Sequence, residues 1–311
     1  MSKPSLRSVD SLAALSCIGV LICWSSAPLF IKYLTGYLDL WSQNLLRYLS
    51  ACLFWLPFLL IELKAGRVPR HVWKRTIVPF ILVVIMQTLW AAVFYYIDPG
   101  FVSLLATTAF LWVIIMSIVF FAEERRLLSN RLFSMSIVLS LAGLTGVIYF
   151  HPTFTHSYTI TGIVIILCYG FIWGLYSISV KVLLKGIDSR IGFSVISIYT
   201  FTTLLVGILF KGELRKCLVM PFWGWFSVIV SGILGIAVGH VLYYVSIRRL
   251  SAATSSLTQL AQPFIVGTIS FFIFGEKLSV LQWVFGIVLV AGSAMAIIAQ
   301  KAPDLPELPI G

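Results

Sequence analysis

Polar and aromatic side chains recur at helical spacing inside long apolar runs: Gln87 with Trp90, Ser103 with Thr107, His240 with Tyr243, and Ser255 with Gln259 and Gln262. Residues three or four apart share one helix face, so each group presents polar atoms along a single stripe. Inside a bilayer such atoms are costly unless they face a bundle interior or a water-filled cavity. Trp24, Trp173 and Tyr176 add aromatic surface in similar surroundings. The candidate solute pathway is therefore Trp24, Arg47, Gln87, Trp90, Thr107, Trp173, Tyr176, His240, Tyr243, Gln259 and Gln262. For any one of these residues the competing reading is interhelical hydrogen bonding and packing.

Arg47 stands roughly two turns inside its apolar run, where an unpaired charge costs on the order of 2.5–3.5 kcal/mol. It can bind an anionic group such as a carboxylate, or snorkel to the outer interface as a structural anchor. His240 is the histidine within an apolar run, since His71, His151 and His156 fall in loops. Its ordinary titration range suits a proton switch. Asp39, Asp98, Asp188 and Glu276 sit at the ends of runs and the remaining carboxylates fall in loops or tails. A relay built on a buried carboxylate thus has no evident home, which leaves a facilitator, an exchanger, or coupling through His240.

Motifs for other chemistry are missing. There is no HExxH for zinc, no GxSxG for a serine nucleophile and no Walker A loop. The cysteines Cys17, Cys23, Cys52, Cys168 and Cys217 lack metal-ligand spacing and read as small packing residues. No catalytic residue, metal site or cofactor is expected.

The elements that must position these residues follow from composition. Hydrophobic residues make up 60% of the chain and charged residues 11%, with a mean hydropathy of +1.02, far from the balance of a soluble domain. A net charge of +11 raises the question of nucleic acid, yet the basic residues lie in short clusters between apolar runs and form no stripe. Lipid is the expected partner of the surface, with no nucleic acid.

Ten runs are long enough to cross about 30 Å of hydrocarbon: 12–34, 40–61, 77–97, 101–122, 132–150, 159–181, 190–210, 222–246, 252–274 and 279–299. They do not alternate as barrel strands do, so helices are required to pair the backbone in lipid. The first run lacks a small-residue cleavage site and is read as a retained span. With ten spans both ends lie on one side. That side collects Lys3, Arg7, Lys64, Arg67, Arg70, Lys74, Arg75, Arg125, Arg126, Arg131, Lys181, Lys185, Arg190, Arg248, Arg249 and Lys301. The excess predicts cytoplasmic termini in a cell membrane.

Self-comparison at an offset of 149 residues pairs Trp24 with Trp173, Lys32 with Lys181, Asp39 with Asp188, Tyr95 with Tyr244 and Gly143 with Gly292. Glu124 meets Glu276 after a three-residue gap. The chain is thus read as two five-helix repeats, 1–150 and 151–300, with a disordered proline-rich tail over 301–311. Five is odd, so the second copy enters the membrane from the opposite side. Inverted repeats of this kind underlie many secondary transporters. Small-residue stripes (Ser231, Gly235 and Gly239; Gly292 and Ala296) predict close helix approach, and Pro28, Pro57, Pro79 and Pro263 predict kinks.

These features resemble the drug/metabolite transporter superfamily, in particular its EamA-type ten-span permeases, from about residue 12 to 300. The resemblance is carried by Cys23-Trp24-Ser25-Ser26 running to Ile31-Lys32, its counterpart Ile172-Trp173-Gly174 running to Val180-Lys181, Arg47 in Leu45-Leu46-Arg47-Tyr48, and Gln262-Pro263-Phe264 followed by Phe274-Gly275-Glu276-Lys277. Two features depart from it: Ala122-Glu123-Glu124 replaces the usual Gly-Glu, and Leu111 stands where the repeat would place a proline.

The resemblance implies an all-α membrane protein that moves a small metabolite by alternating access, and it favours a structural or gating role for Arg47. An amino-acid-like or other small organic solute, exported, is the leading expectation, with a nucleotide-sugar or sugar-phosphate anion as the alternative. A receptor or assembly subunit, or an intramembrane enzyme, are the rival classes. The assembly is expected to be a monomer or homodimer.

Overall fold

A computed structural model describes residues 11–97, 99–150, 159–211, 213–266, 268 and 279–299. Asp98, His151, His156, Glu276, Lys277, the terminal basic residues and the tail lie outside them. The helices are α1 (Ser11–Leu34), α2 (Leu40–Lys64), α3 (Val72–Arg75), α4 (Ile77–Val93), α5 (Pro99–Phe120), α6 (Ala122–Leu127), α7 (Arg131–Tyr149), α8 (Ile160–Leu183), α9 (Ser189–Lys211), α10 (Phe222–Val230), α11 (Gly239–Arg249), α12 (Ala252–Gln259) and α13 (Val280–Ala299). A 3-10 turn, Leu214–Val219, precedes α10, and a π-helical stretch, Ser231–Val238, joins α10 to α11.

Among the described residues, seven helical stretches are long and apolar enough to cross a membrane, and Leu105–Phe120 and Arg131–Val147 are shorter apolar helices. The ninth apolar run is described only in part. Side chains such as Leu15, Ile22, Val138 and Leu209 are more than half exposed on the outside of the bundle. An apolar skin of that extent fits lipid as the solvent.

Helix starts follow ordinary capping chemistry. Asp39 accepts from the amides of Trp41 at 2.9 Å and Ser42 at 3.1 Å to open α2. Ser251 accepts from Thr254 N at 3.0 Å to open α12. A side-chain oxygen here satisfies amides that have no partner within the helix.

Two runs are not regular. The eighth widens into the π stretch, and its Gly235 and Gly239 both approach α1 closely, where a Cβ would lie 3.1 Å from Ala27 Cβ and 2.5 Å from Trp24 Nε1. Gly232 approaches α2 closely, since its missing Cβ would lie 2.5 Å from Arg47 O. The ninth run breaks at Leu260 and Ala261 and resumes at Gln262. Pro263 explains the break, because it lacks the N–H that would bond Gln259 O and its ring crowds that carbonyl. Leu111 carries no such penalty, and α5 runs unbroken.

Packing is reciprocal between the halves. The helix α1 packs on α11 as α8 packs on α4, and α12 meets α1 as α5 meets α8. The pairs α2 with α9 and α7 with α13 match like with like. In the last pair a Cβ on Gly143 would lie 2.6 Å from Leu289 N, and one on Gly292 2.7 Å from Ser140 N. Gly143 and Gly292 are 149 residues apart, as are Ser140 and Leu289, so the contact maps onto itself when the halves exchange.

Candidate functional site: a central cavity between the two halves

The reciprocal helices leave a small central cavity roughly halfway along α1. Trp24 of α1 and Trp173 of α8 meet edge to face in its wall, with ring centroids 5.0 Å apart. Trp90 and Tyr169 form a second aromatic wall at 4.9 Å, and Phe110 stacks parallel to Trp24 at 6.5 Å. Edge-to-face and offset stacking of this kind is the favoured geometry for ring quadrupoles.

Trp24 also ties backbone together. Its Nε1 donates to Gly235 O at 3.0 Å, and its own carbonyl accepts from Gln262 Nε2 at 3.0 Å. The π stretch supplies a row of such acceptors: Trp55 Nε1 donates to Ala237 O at 3.0 Å and His240 Nδ1 to Ile236 O at 3.0 Å. A π turn inside an α-helix often marks a functional site, and here it exposes carbonyls that hold three ring systems.

Donation by Nδ1 to a carbonyl assigns the His240 tautomer, since that oxygen only accepts. The neutral ring then offers Nε2 as an acceptor, which faces Gln87 Nε2 at 3.5 Å. Phe193 stacks on the ring at 5.4 Å. Gln87 Oε1 is buried with no hydrogen-bond partner.

Arg47 is 1% exposed and is one of the residues that line the same cavity. Nε donates to Ser231 Oγ at 3.2 Å, whereas Nη1 has no partner. No described carboxylate pairs with it. Snorkelling to the interface, one of the readings open from sequence, is therefore not what this side chain does: α2 is packed against the π stretch by Gly232, and the arginine stem is enclosed there.

Beyond the cavity, toward the helix ends that carry Arg125, Arg190 and Arg248, the bundle is filled in layers. Tyr243 Oη donates to Ser177 Oγ at 2.9 Å, and the hydroxyls of Tyr176 and Tyr244 bond each other. Below them Glu124 of α6 is 1% exposed and pairs with Lys181. Its carboxylate also accepts from Ala252 N at 3.0 Å and Ala253 N at 2.8 Å. Sequence reading treats Glu124 as a loop carboxylate; the fold buries it because the start of α12 supplies two unpaired amides and the favourable end of a helix dipole.

The two halves each match a known family. The profile of the EamA-like transporter family matches residues 11–149 and again residues 160–298. The chain belongs to the EamA-like transporter family. The two matches begin 149 residues apart, the same offset that aligns Trp24 with Trp173. A solved crystal structure superposes with a TM-score of 0.71 over 92% of this chain and 96% of its own, at 16% identity, which shows the shared fold. No curated protein matches the chain.

Of the residues expected to form a pathway, the EamA-like fold brings Trp24, Arg47, Gln87, Trp90, Trp173, His240 and Gln262 to the cavity wall. Tyr243 stands behind it, against Trp24 and Trp173 at 5.2 and 5.5 Å. Tyr176 belongs to the filled layer, Gln259 Nε2 donates to Cys17 O at 3.3 Å, and Thr107 is buried off the wall. Sequence reasoning passed over Ala27, Ala106, Phe110, Tyr169 and Gly235, which complete the lining. Tyr169 was within reach, since it precedes Trp173 by one turn and shares its face. Phe110 carries no such signal in a run already rich in apolar residues.

Proposed function

We propose that this member of the EamA-like family is a secondary transporter that exports a small organic solute by alternating access. The reading includes ten membrane spans as two inverted five-helix halves, 1–150 and 151–300, with both termini cytoplasmic in the cell membrane. The observation that carries it is the position of the cavity: both halves line it, and one end is filled by packed side chains, among them the Glu124–Lys181 pair that crosses from one half to the other. Glu124 meets Lys181 and α12 across the halves, whereas Tyr176 with Tyr244 and Tyr243 with Ser177 join α8 to α11 within the second half; all are side-chain contacts that relative movement of these helices can break without unfolding one.

On that orientation the filled end faces the cytoplasm, and the cavity stands nearer the outer face. Transport requires the opposite arrangement in turn. Solute counterflow into liposomes containing the purified protein tests the activity, with labelled metabolites as probes. Acceleration of uptake by internal unlabelled solute supports the reading; no counterflow of any solute that binds opposes it. Tags on the two ends test the topology, and one reagent-accessible end in sealed cells overturns it.

A further inference from the structure

We propose that the cavity selects a small organic monoanion, its carboxylate held by Arg47 and its flat apolar body lying among Trp24, Trp90, Tyr169 and Trp173. This rests on the cavity being the transport site.

The guanidinium is a buried group with unfinished hydrogen bonding. Arg47 is 1% exposed, one edge is committed to Ser231, and Nη1 is unpartnered. Arginine stays charged in proteins and presents its donors as a planar fork that fits a carboxylate. A permanent charge enclosed in a bundle calls for a counter-charge, and no described residue supplies one. The wall beside it adds an acceptor, Gln87 Oε1, that is equally buried and unpartnered, and suits a hydroxyl or amine on the same molecule.

Charge then narrows the class. Among the described lining residues Arg47 is the one cationic side chain and none is a carboxylate. A monoanion brings the enclosed charge to neutrality. A phosphate dianion would leave a negative charge uncompensated at low dielectric, and a cation would add to the charge of Arg47. Aromatic faces do attract ammonium groups, so a cationic probe tests whether the rings or the guanidinium dominate. Ring walls on several sides favour a flat apolar body.

The experiment compares three probes that share one ring system, indole-3-acetate, indole-3-acetamide and tryptamine, on the full chain in detergent at constant chloride. Calorimetry gives affinity, and counterflow in liposomes gives transport. The acid is expected to bind at least tenfold more tightly than the amide or the amine, with the preference kept in Arg47→Lys in weakened form and lost in Arg47→Gln. Equal affinity for acid and amide in the wild type, or an acid preference that survives in folded Arg47→Gln, overturns the proposal. Should Arg47→Gln fail to elute as a monodisperse species, the wild-type comparison with Arg47→Lys decides. Arg47-dependent binding of the acid without counterflow supports the anion site and counts against transport. Counterflow of a neutral or cationic solute without acid preference upholds transport and sinks the anion site.

Discussion

Glu124 and Lys181 form an ion pair across the two halves, and the same carboxylate caps the first amides of α12. One side chain therefore holds three elements, α6, α8 and α12, at the end of the cavity. Breaking a buried pair usually costs about 3–5 kcal/mol. Lys181 keeps 17% exposure, and Glu123 Oε1 stands 3.7 Å away as a substitute partner. Glu124→Gln is accordingly expected to cost about 2 kcal/mol, below that range, seen as a lower melting midpoint in detergent. A cysteine placed at Ser256 should at the same time label faster from the basic side. Unchanged labelling would mean that the pair braces the fold without closing that end.

The glycine contact between α7 and α13 makes a prediction about symmetry. A Cβ at Gly143 or at Gly292 meets backbone nitrogen of the other helix at 2.6 or 2.7 Å, and backbone cannot step aside as a flexible side chain can. Gly143→Ala and Gly292→Ala should each destabilise by roughly 1–3 kcal/mol, the usual range for overpacking. The double variant should cost less than their sum, because the first separation of the helices makes room for the second. Additive losses in thermal or denaturant melts would show that the two contacts are independent.

Such contacts show how much of the fold is legible in the sequence. Trp24 with Trp173 and Gly143 with Gly292 stand out by self-comparison because rare residue types at one offset survive the noise of a Leu, Ile and Val background. The cavity wall was legible where a polar or aromatic residue had a neighbour one turn away, as for Gln87 with Trp90. The π stretch was not, since a widened turn leaves no mark on residue spacing and shifts every face after it. Glu124 escaped for a related reason. Its burial depends on the amides of α12, 128 residues away in the chain, and no local pattern encodes that meeting.

Gly239 tests whether the close approach at Trp24 matters for transport. A Cβ there would stand 2.5 Å from Trp24 Nε1, the atom that donates to Gly235 O. Gly239→Leu should displace the indole and abolish counterflow while membrane insertion and the elution profile stay normal. Gly239→Ala should give a partial loss, on the order of tenfold, if the clash raises the barrier by about 1.4 kcal/mol. A fully active Gly239→Leu would show that Trp24 need not occupy this position.

Asp39 supplies a pH dependence outside the spans. Burial raises its carboxyl, but the Ser42 hydroxyl and the amides of Ser42, Glu213 and Trp41 outweigh burial and hold it below the usual carboxylate range. A folded-state value below the unfolded one means stability that is complete above the ordinary range and lost as pH falls through the lowered value. Melting midpoints should hardly change above about pH 5 and should fall below about pH 4. Asp39→Asn keeps a capping oxygen and should shrink the acid-side fall, and an unaltered acid limb would assign it to other carboxylates.

His240 and Gln87 set out how a proton could enter the cycle. The Nδ1–H bond to Ile236 O leaves Nε2 as the atom that takes a proton, and that atom now faces the Gln87 amide nitrogen. Once Nε2 carries hydrogen, two donors confront each other, and a half-turn of the Gln87 amide relieves them by presenting its unpartnered Oε1. Both side chains line the cavity, so this rotation alters what a solute meets. His240→Ala is expected to leave downhill counterflow measurable and to remove any response to an imposed pH gradient. Gln87→Met should remove the same response, because the charged ring then has no acceptor beside it. Gradient-driven uptake that persists in His240→Ala would place coupling elsewhere, since no described carboxylate reaches the cavity to serve instead.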